Sequence, residues 1–233
     1  MSKVTVEELF KAGAHFGHRT NRWHPKMKPF IFAAKKGLYV IDLNQTSEKL
    51  EQALAYIAKL VKEEKNILFV GTKNQAKKIF AETAQEIAMP YVSGKWLGGF
   101  ITNFAVIKKS IKKYLDLTSQ KESGKLDKYT KKEQLNFDRE IKKLEARLGG
   151  LVMLTKLPDA LFVWDIKEEA TAVAEARAKH IPIIAICDTN VNPDLANYPI
   201  PANDDSSKTV KVIMNAVKET VLAAKAEMEQ AKK

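Results

Sequence analysis

Four short runs of unbroken apolar character constrain this chain more than any other feature: LYVID (38–42), ILFVG (67–71), ALFVWD (160–165) and IPIIAIC (181–187). A strand with one wet face alternates polar and apolar residues. A strand covered on both faces does not, and a parallel sheet between two helical layers requires that kind. A weaker fifth run lies in NYPIPA (197–202), and YV (91–92) after Pro90 predicts another short strand. Helical patterns separate the runs. SEKLEQALAYIAKLVKEEK opens with Ser47 as a candidate N-cap and sets Leu50, Leu54, Ile57, Leu60 and Val61 on one face. KNQAKKIFAETAQEIA follows the second run, KEEATAVAEARAKH the third, and SSKTVKVIMNAVKETVLAAKAEM closes the pattern. Strand and helix alternating in this way predict a doubly wound α/β domain.

The alternation breaks between 104 and 149. Phe104, Ile107, Ile111 and Tyr114 repeat at helical spacing, as do Phe137, Ile141, Leu144 and Leu148, with the polar TSQKESGKLDKYTKK between them. Two helices with narrow apolar seams and a polar turn predict an antiparallel coiled-coil hairpin, too thin to hold a core of its own. It reads either as a solvated strut or as an arm set against a polyanion. Charge bears on that choice. The net charge is +11, and it is not spread evenly. Residues 1–36 hold eight Lys/Arg against two acids, and residues 105–149 hold thirteen against seven; the rest is almost neutral. Basic charge confined to two segments predicts two contact surfaces for a nucleic-acid backbone. The chain then divides into a basic helical or extended segment (1–36), a body (37–103 and 150–226), the hairpin (104–149) and a short tail (227–233).

Other classes find little support. No apolar run approaches the roughly 18 residues of a membrane span, and MSKVTVEELF has no signal-peptide core. One cysteine, Cys187 within IIAIC, fits a buried thiol in a reducing cytoplasm. The loops expected beyond the strand ends are GTKNQ (71–75), DIKEE (165–169), CDTNVNPD (187–194) and NDDSSK (203–208). GTKNQ offers Gly71 and Lys73 to a phosphate but lacks both the GxxxxGK[ST] and GxGxxG spacings, so no nucleotide cofactor is expected. His24 with Asp188, Asp204 and Asp205 makes a candidate shell for one divalent cation, zinc or magnesium. The competing and favoured reading makes Asp205, Ser206 and Ser207 helix caps. A nucleotide- or metal-dependent enzyme using these strand-end acids is the alternative function. No GxSxG occurs, and nothing gathers an acid, a base and a nucleophile. SGKWLGGFITNF (93–104) reads two ways: Lys95 and Trp96 as a cation and stacking face for RNA, or a glycine turn that docks Trp96 into the core.

AGAHFGHRTNRWHPKMKPFIF, LFVGTKNQA, MPYVSGKWLGGFITNF and PDALFVWDIKEEATAVAEARAKHIPIIAICDTNVNPD strongly resemble the bacterial small-subunit ribosomal protein two family. The likeness runs in order from about residue 4 to residue 225. It implies a flavodoxin-like three-layer α/β/α domain with an inserted coiled coil, no enzymatic activity, and a cytoplasmic place on the small ribosomal subunit. The implied partners are small-subunit rRNA and neighbouring ribosomal proteins, including the large mRNA-binding protein one, with no membrane and no functional homo-oligomer. Phe30 and Phe32 become candidate protein contacts. His15 and His18 are expected to pack around the Gly17 turn and hold Arg19 and Arg22 toward RNA.

The residues expected to carry RNA binding are Lys11, Arg19, Arg22, Lys26, Lys28, Lys35 and Lys36 near the N-terminus. Lys73, Lys95 and Trp96 come from the body, and Lys108, Lys109, Lys112, Lys131, Lys132 and Arg139 from the hairpin.

Overall fold

A computed structural model describes residues 4–231. Five strands form the parallel sheet: β4 (Ile67–Val70), β5 (Tyr91–Val92), β6 (Ala160–Trp164), β7 (Ile183–Cys187) and β8 (Tyr198–Pro201), in the order β5-β4-β6-β7-β8. Counted along the chain this is the 2-1-3-4-5 order of flavodoxin-like folds, with its reversal of winding between β4 and β6. Every residue of β4, β6 and β7 is buried, which is why their sequences do not alternate.

One face packs Ile67, Phe69, Phe162, Trp164, Ile184 and Ile200 against α2 (Leu43–Lys62), α3 (Lys77–Glu86) and α7 (Ser207–Ala231). The other packs Leu68, Val70, Leu161, Val163, Ala185 and Cys187 against α6 (Ala170–Ala178), the 96–101 loop and the root of the hairpin. Three-layer α/β/α architecture follows directly. Truncating a ring such as Phe162, fully buried between the two layers, is expected to cost about 3–5 kcal/mol.

LYVID does not belong to this sheet. Leu38–Ile41 forms β3 of a separate antiparallel sheet, between β1 (Phe16–Arg19) and β2 (Ile31–Lys35). Its exposure falls from Leu38 to Ile41, so it is covered at one end only. This N-terminal sheet, preceded by helix α1 (Val6–Lys11), therefore extends past residue 36 to Ile41. Helix α2 also begins a turn earlier than Ser47: Asp42 is the cap, its carboxylate accepting the Asn44 amide at 3.0 Å, and Ser47 lies inside the helix. The expected apolar face, Leu50 to Val61, is buried.

The interruption is a pair of helices, α4 (Phe104–Glu122) and α5 (Lys131–Leu148), packed on each other. Ile107, Ile111 and Leu148 join the second core cluster, and Leu126 is buried at the turn. Lys113 pairs with Glu140 across the hairpin, and Lys121 with Asp138 at 2.7 Å. Part of the expected tail lies outside the described residues; as far as 231 it continues α7.

Candidate nucleic-acid interface

At the winding reversal, where this fold elsewhere binds ligands, the chain has placed its own ions. Lys73 Nζ lies 2.6 Å from Asp204 Oδ1, 2.7 Å from Asp205 Oδ1 and 3.3 Å from Asp165 Oδ2. The Thr72 amide, which a phosphate would have needed, donates to the buried Glu169 carboxylate at 2.8 Å. Burial works against the Lys73 ammonium, but the bonds to Asp204 and Asp205 hold it above its ordinary range. Asp204 is pushed up to about 8 by burial and by Asp188 and Asp165, with Lys73 pulling the other way. Lys73 is thus not free for an RNA phosphate; it neutralises an internal acidic cluster.

The acids do meet a histidine, but a different one from that expected. His18 Nδ1 is 3.1 Å from Asp188 Oδ1, and its Nε2 is 3.2 Å from Asn190 Nδ2. His24 is held elsewhere: its amide donates to the Thr189 carbonyl at 2.8 Å, and its Nδ1 accepts the Lys26 amide at 3.2 Å as the cap of a 3₁₀ turn over Pro25–Phe30. The donor set of His24, Asp188, Asp204 and Asp205 therefore does not fit a cation shell, because one ligand is a cap and Lys73 stands between two others. Among the described residues no group of three or more His, Cys, Asp and Glu is arranged to hold a metal ion. Capping falls to Ser206, whose Oγ accepts the Thr209 amide at 3.3 Å.

Thr189, which no local pattern singles out, clamps the histidine-rich segment. Its hydroxyl accepts the His18 amide at 2.8 Å, and a side chain at Gly17 would meet its Cγ2 at 2.6 Å, so only glycine fits there. His15 is sandwiched by Phe10 and Phe16, with ring centroids 4.5 and 4.0 Å away. Arg19 and Arg22 line the same cleft as His18, Asp188 and Asp205.

Trp96 is a core residue, 9% exposed, so it presents no stacking face. Its indole N–H donates to Glu175 Oε1 at 3.1 Å. Glu175 also accepts the amides of Gly99, Ile101 and Thr102 and the Thr102 hydroxyl, all within 3.2 Å. One carboxylate on α6 thus gathers the whole glycine-rich loop. A signal was available: Glu175 falls on the face of α6 defined by Ala172, Val173 and Ala176, where an acid requires partners.

The other cations divide by their pairing. Lys11 is tied to Glu7 and Lys26 to Asp194. Lys28, Lys35, Lys36, Lys95, Lys108, Lys109, Lys112, Lys131, Lys132, Arg139, Arg19 and Arg22 are exposed, and their side chains have no ion pair among the described residues. Phe32 is 76% exposed, whereas Phe30 is half-buried against the second core cluster. Phe32 instead shares an apolar groove of about 530 Å³ with Phe10, His15, Phe16 and Leu38, rimmed by Lys35 and Lys36.

The α/β body is nearly neutral, its ligand crevice is filled by its own side chains, and the basic charge sits on the two appended segments; the relatives of the chain give the class, ribosomal proteins. The small ribosomal subunit protein uS2 of Coprothermobacter proteolyticus is 46% identical over 222 residues, 95% of this chain and 83% of that protein. The proteins of the same name from Petrotoga mobilis and Marinobacter nauticus are each 46% identical, over 97% and 96% of this chain and 78% and 90% of their own lengths. The family described as Ribosomal protein S2 matches residues 9–224, and the chain belongs to that family. It is a structural component of the small ribosomal subunit, not an enzyme. No helix among the described residues is long and apolar enough to cross a membrane.

Proposed function

We propose that the chain binds small-subunit rRNA through two sets of cations, one on the N-terminal sheet and its 3₁₀ turn, the other on the hairpin. The observation that carries this reading is the pairing pattern. A cation already matched to a carboxylate gains little from a phosphate, and the exposed, unmatched ones fall mainly in the two segments where net charge is concentrated. Phosphate neutralisation releases condensed counterions, so affinity for an rRNA fragment should fall steeply and log-linearly with salt. Binding that is flat between low and high salt would overturn this mechanism.

The apolar groove around Phe32 is the proposed dock for the large mRNA-binding ribosomal protein one. Exposed aromatics clustered in a shallow groove, ringed by lysines, suit an apolar anchor with an acidic or polar surround. Phe16→Ala with Phe32→Ala should abolish that association while leaving rRNA binding in place. Loss of both together would remove the assignment of the groove to a protein.

A further inference from the structure

A second cleft lies at the root of the hairpin, where α5 returns to the edge strand β5. It holds about 350 Å³ and is lined by Tyr91, Ser93, Gly94, Tyr114, Glu145 and Arg147, among others. That volume is at the small end of ligand pockets, which run roughly 300–1,000 Å³. Its walls are fixed by close backbone approach: a side chain at Gly150 would meet the Tyr91 carbonyl at 2.4 Å, and one at Gly94 the Ala146 carbonyl at 3.1 Å. Tyr91 is further held by its hydroxyl, which accepts from Gln85 Nε2 at 2.7 Å.

The lining sets an acid and a base together in one cleft. Neither the Glu145 carboxylate nor the Arg147 guanidinium has an ion-pair or side-chain hydrogen-bond partner among the described residues, although both line one cleft. Glu145 lies close enough to Tyr114 to add to the effect of burial in raising the phenol above its usual range. A carboxylate in a segment otherwise suited to phosphates repels a bare backbone and favours a ligand that brings hydrogen-bond donors. Of the four RNA bases, guanine alone carries two adjacent donors on its pairing edge, N1–H and N2–H, spaced for the two oxygens of one carboxylate. Arg147 supplies the complementary fork for a phosphate, and Tyr91 and Tyr114 bring aromatic surface of the kind on which unstacked bases lie.

We propose that this cleft takes one unpaired guanosine of an RNA strand, Glu145 reading the base edge and Arg147 the phosphate. The inference rests on the RNA-binding reading above and adds a base-specific subsite to it.

The test follows the amide resonances of Ser93, Gly94 and Gly150 in the full chain. Guanosine 5′-monophosphate should shift them saturably. Inosine 5′-monophosphate, which lacks the N2 amino group, should bind about tenfold or more weakly, the loss of one hydrogen bond to a charged group. Adenosine 5′-monophosphate and inorganic phosphate should not saturate. E145Q, a change at an exposed helical position, should abolish the preference for guanine over inosine with an unchanged melting curve. No shift with the guanine nucleotide, or an equal shift with the adenine nucleotide or phosphate, overturns the proposal. An rRNA fragment is titrated in parallel. If it binds while the cleft amides stay silent, the guanosine site fails and the broader reading stands; if it does not bind at all, the broader reading fails. A guanine nucleotide that RNA cannot displace would overturn the strand as its source.

Discussion

The imidazole of His18 lies 3.1 Å from the carboxylate of Asp188, joining the small N-terminal sheet to the carboxyl end of β7. That bond and the negative surroundings supplied by Asp204 and Asp205 raise the His18 pKa above its usual value, against the effect of burial. A group bound more tightly to its proton in the folded state stabilises fully below its unfolded pKa, about 6.5, and stops doing so as pH rises through the folded value. Asp204, pushed up to about 8, favours the protonated fold in the same direction between about pH 4 and 8. Stability in urea should therefore decline as pH rises from about 6 to 9. His18→Ala should flatten part of that slope and lower stability at pH 6 by about 1–3 kcal/mol. A wild-type stability that rises over this range would contradict the pairing.

Lys73 supplies the cation on which three carboxylates depend. Removing it leaves the buried Asp204 without its cation and the buried Asp165 with only the amides of Lys167 and Glu168, and breaking a buried pair in this way costs about 3–5 kcal/mol. Lys73→Met should lower the denaturation midpoint accordingly, and Lys73→Met with Asp204→Asn should recover part of the loss. RNA affinity of the folded single variant should stay within about twofold of wild type, and its salt slope should not change. A lysine that neutralised a phosphate would, on removal, reduce that slope by roughly 0.9. A reduced slope would return Lys73 to the RNA surface.

Glu175 holds the 96–102 loop with five hydrogen bonds. Burial alone would raise its pKa, but the amides of Thr102, Gly99 and Ile101 and the Trp96 indole outweigh it and hold the group below its usual range. Its contribution is therefore present above the unfolded pKa of about 4.3 and lost as pH falls through the lower folded value. Glu175→Ala should lose about 2–4 kcal/mol, and the amides of Gly99, Ile101 and Thr102 should exchange with solvent much faster than in the native protein. Unchanged protection at those amides would mean the loop is held by Trp96 and Phe100 packing alone.

Local chemistry was legible in the sequence where it repeats or runs unbroken, and illegible where it depends on distant partners. ILFV, ALFVW and IIAIC announce strands covered on both faces, and that is what β4, β6 and β7 are. LYVI has the same apolar run, but a short run does not say which sheet it joins; only the antiparallel partners Phe16–Arg19 and Ile31–Lys35 decide it. The hairpin seams were visible because their period is local. Lys73 could not be sorted from the other lysines, since its carboxylates arrive from 92 and 131 residues away. The sequence pattern points to His24 rather than His18 as the partner of the acids, because nothing local shows that β1 sets His18 beside Asp188. Trp96 beside three glycines reads equally as an open stacking face or a docked ring, because the acid that decides it, Glu175, sits far along the chain on α6.

The hairpin offers a direct comparison between two kinds of lysine. Lys113 and Lys121 are matched to Glu140 and Asp138 across the helix pair, whereas Lys108, Lys109 and Lys112 on the same helix are exposed and unmatched. Exposed ion pairs of the first kind stabilise by only about 0–1 kcal/mol, so Lys113→Ala with Lys121→Ala should lower the melting point slightly and barely change the salt dependence of rRNA binding. Replacing Lys108, Lys109 and Lys112 with alanine should leave folding alone and reduce the log–log salt slope by about two to three. That figure is close to 0.9 for each phosphate no longer neutralised on a duplex, and 0.7 on a single strand. Filter binding of a small-subunit rRNA fragment from low to moderate salt separates the two sets. Equal slopes for both variants would mean that pairing within the hairpin does not decide which lysines reach RNA, and the arm would then act as a strut whose charge serves only to keep it in water.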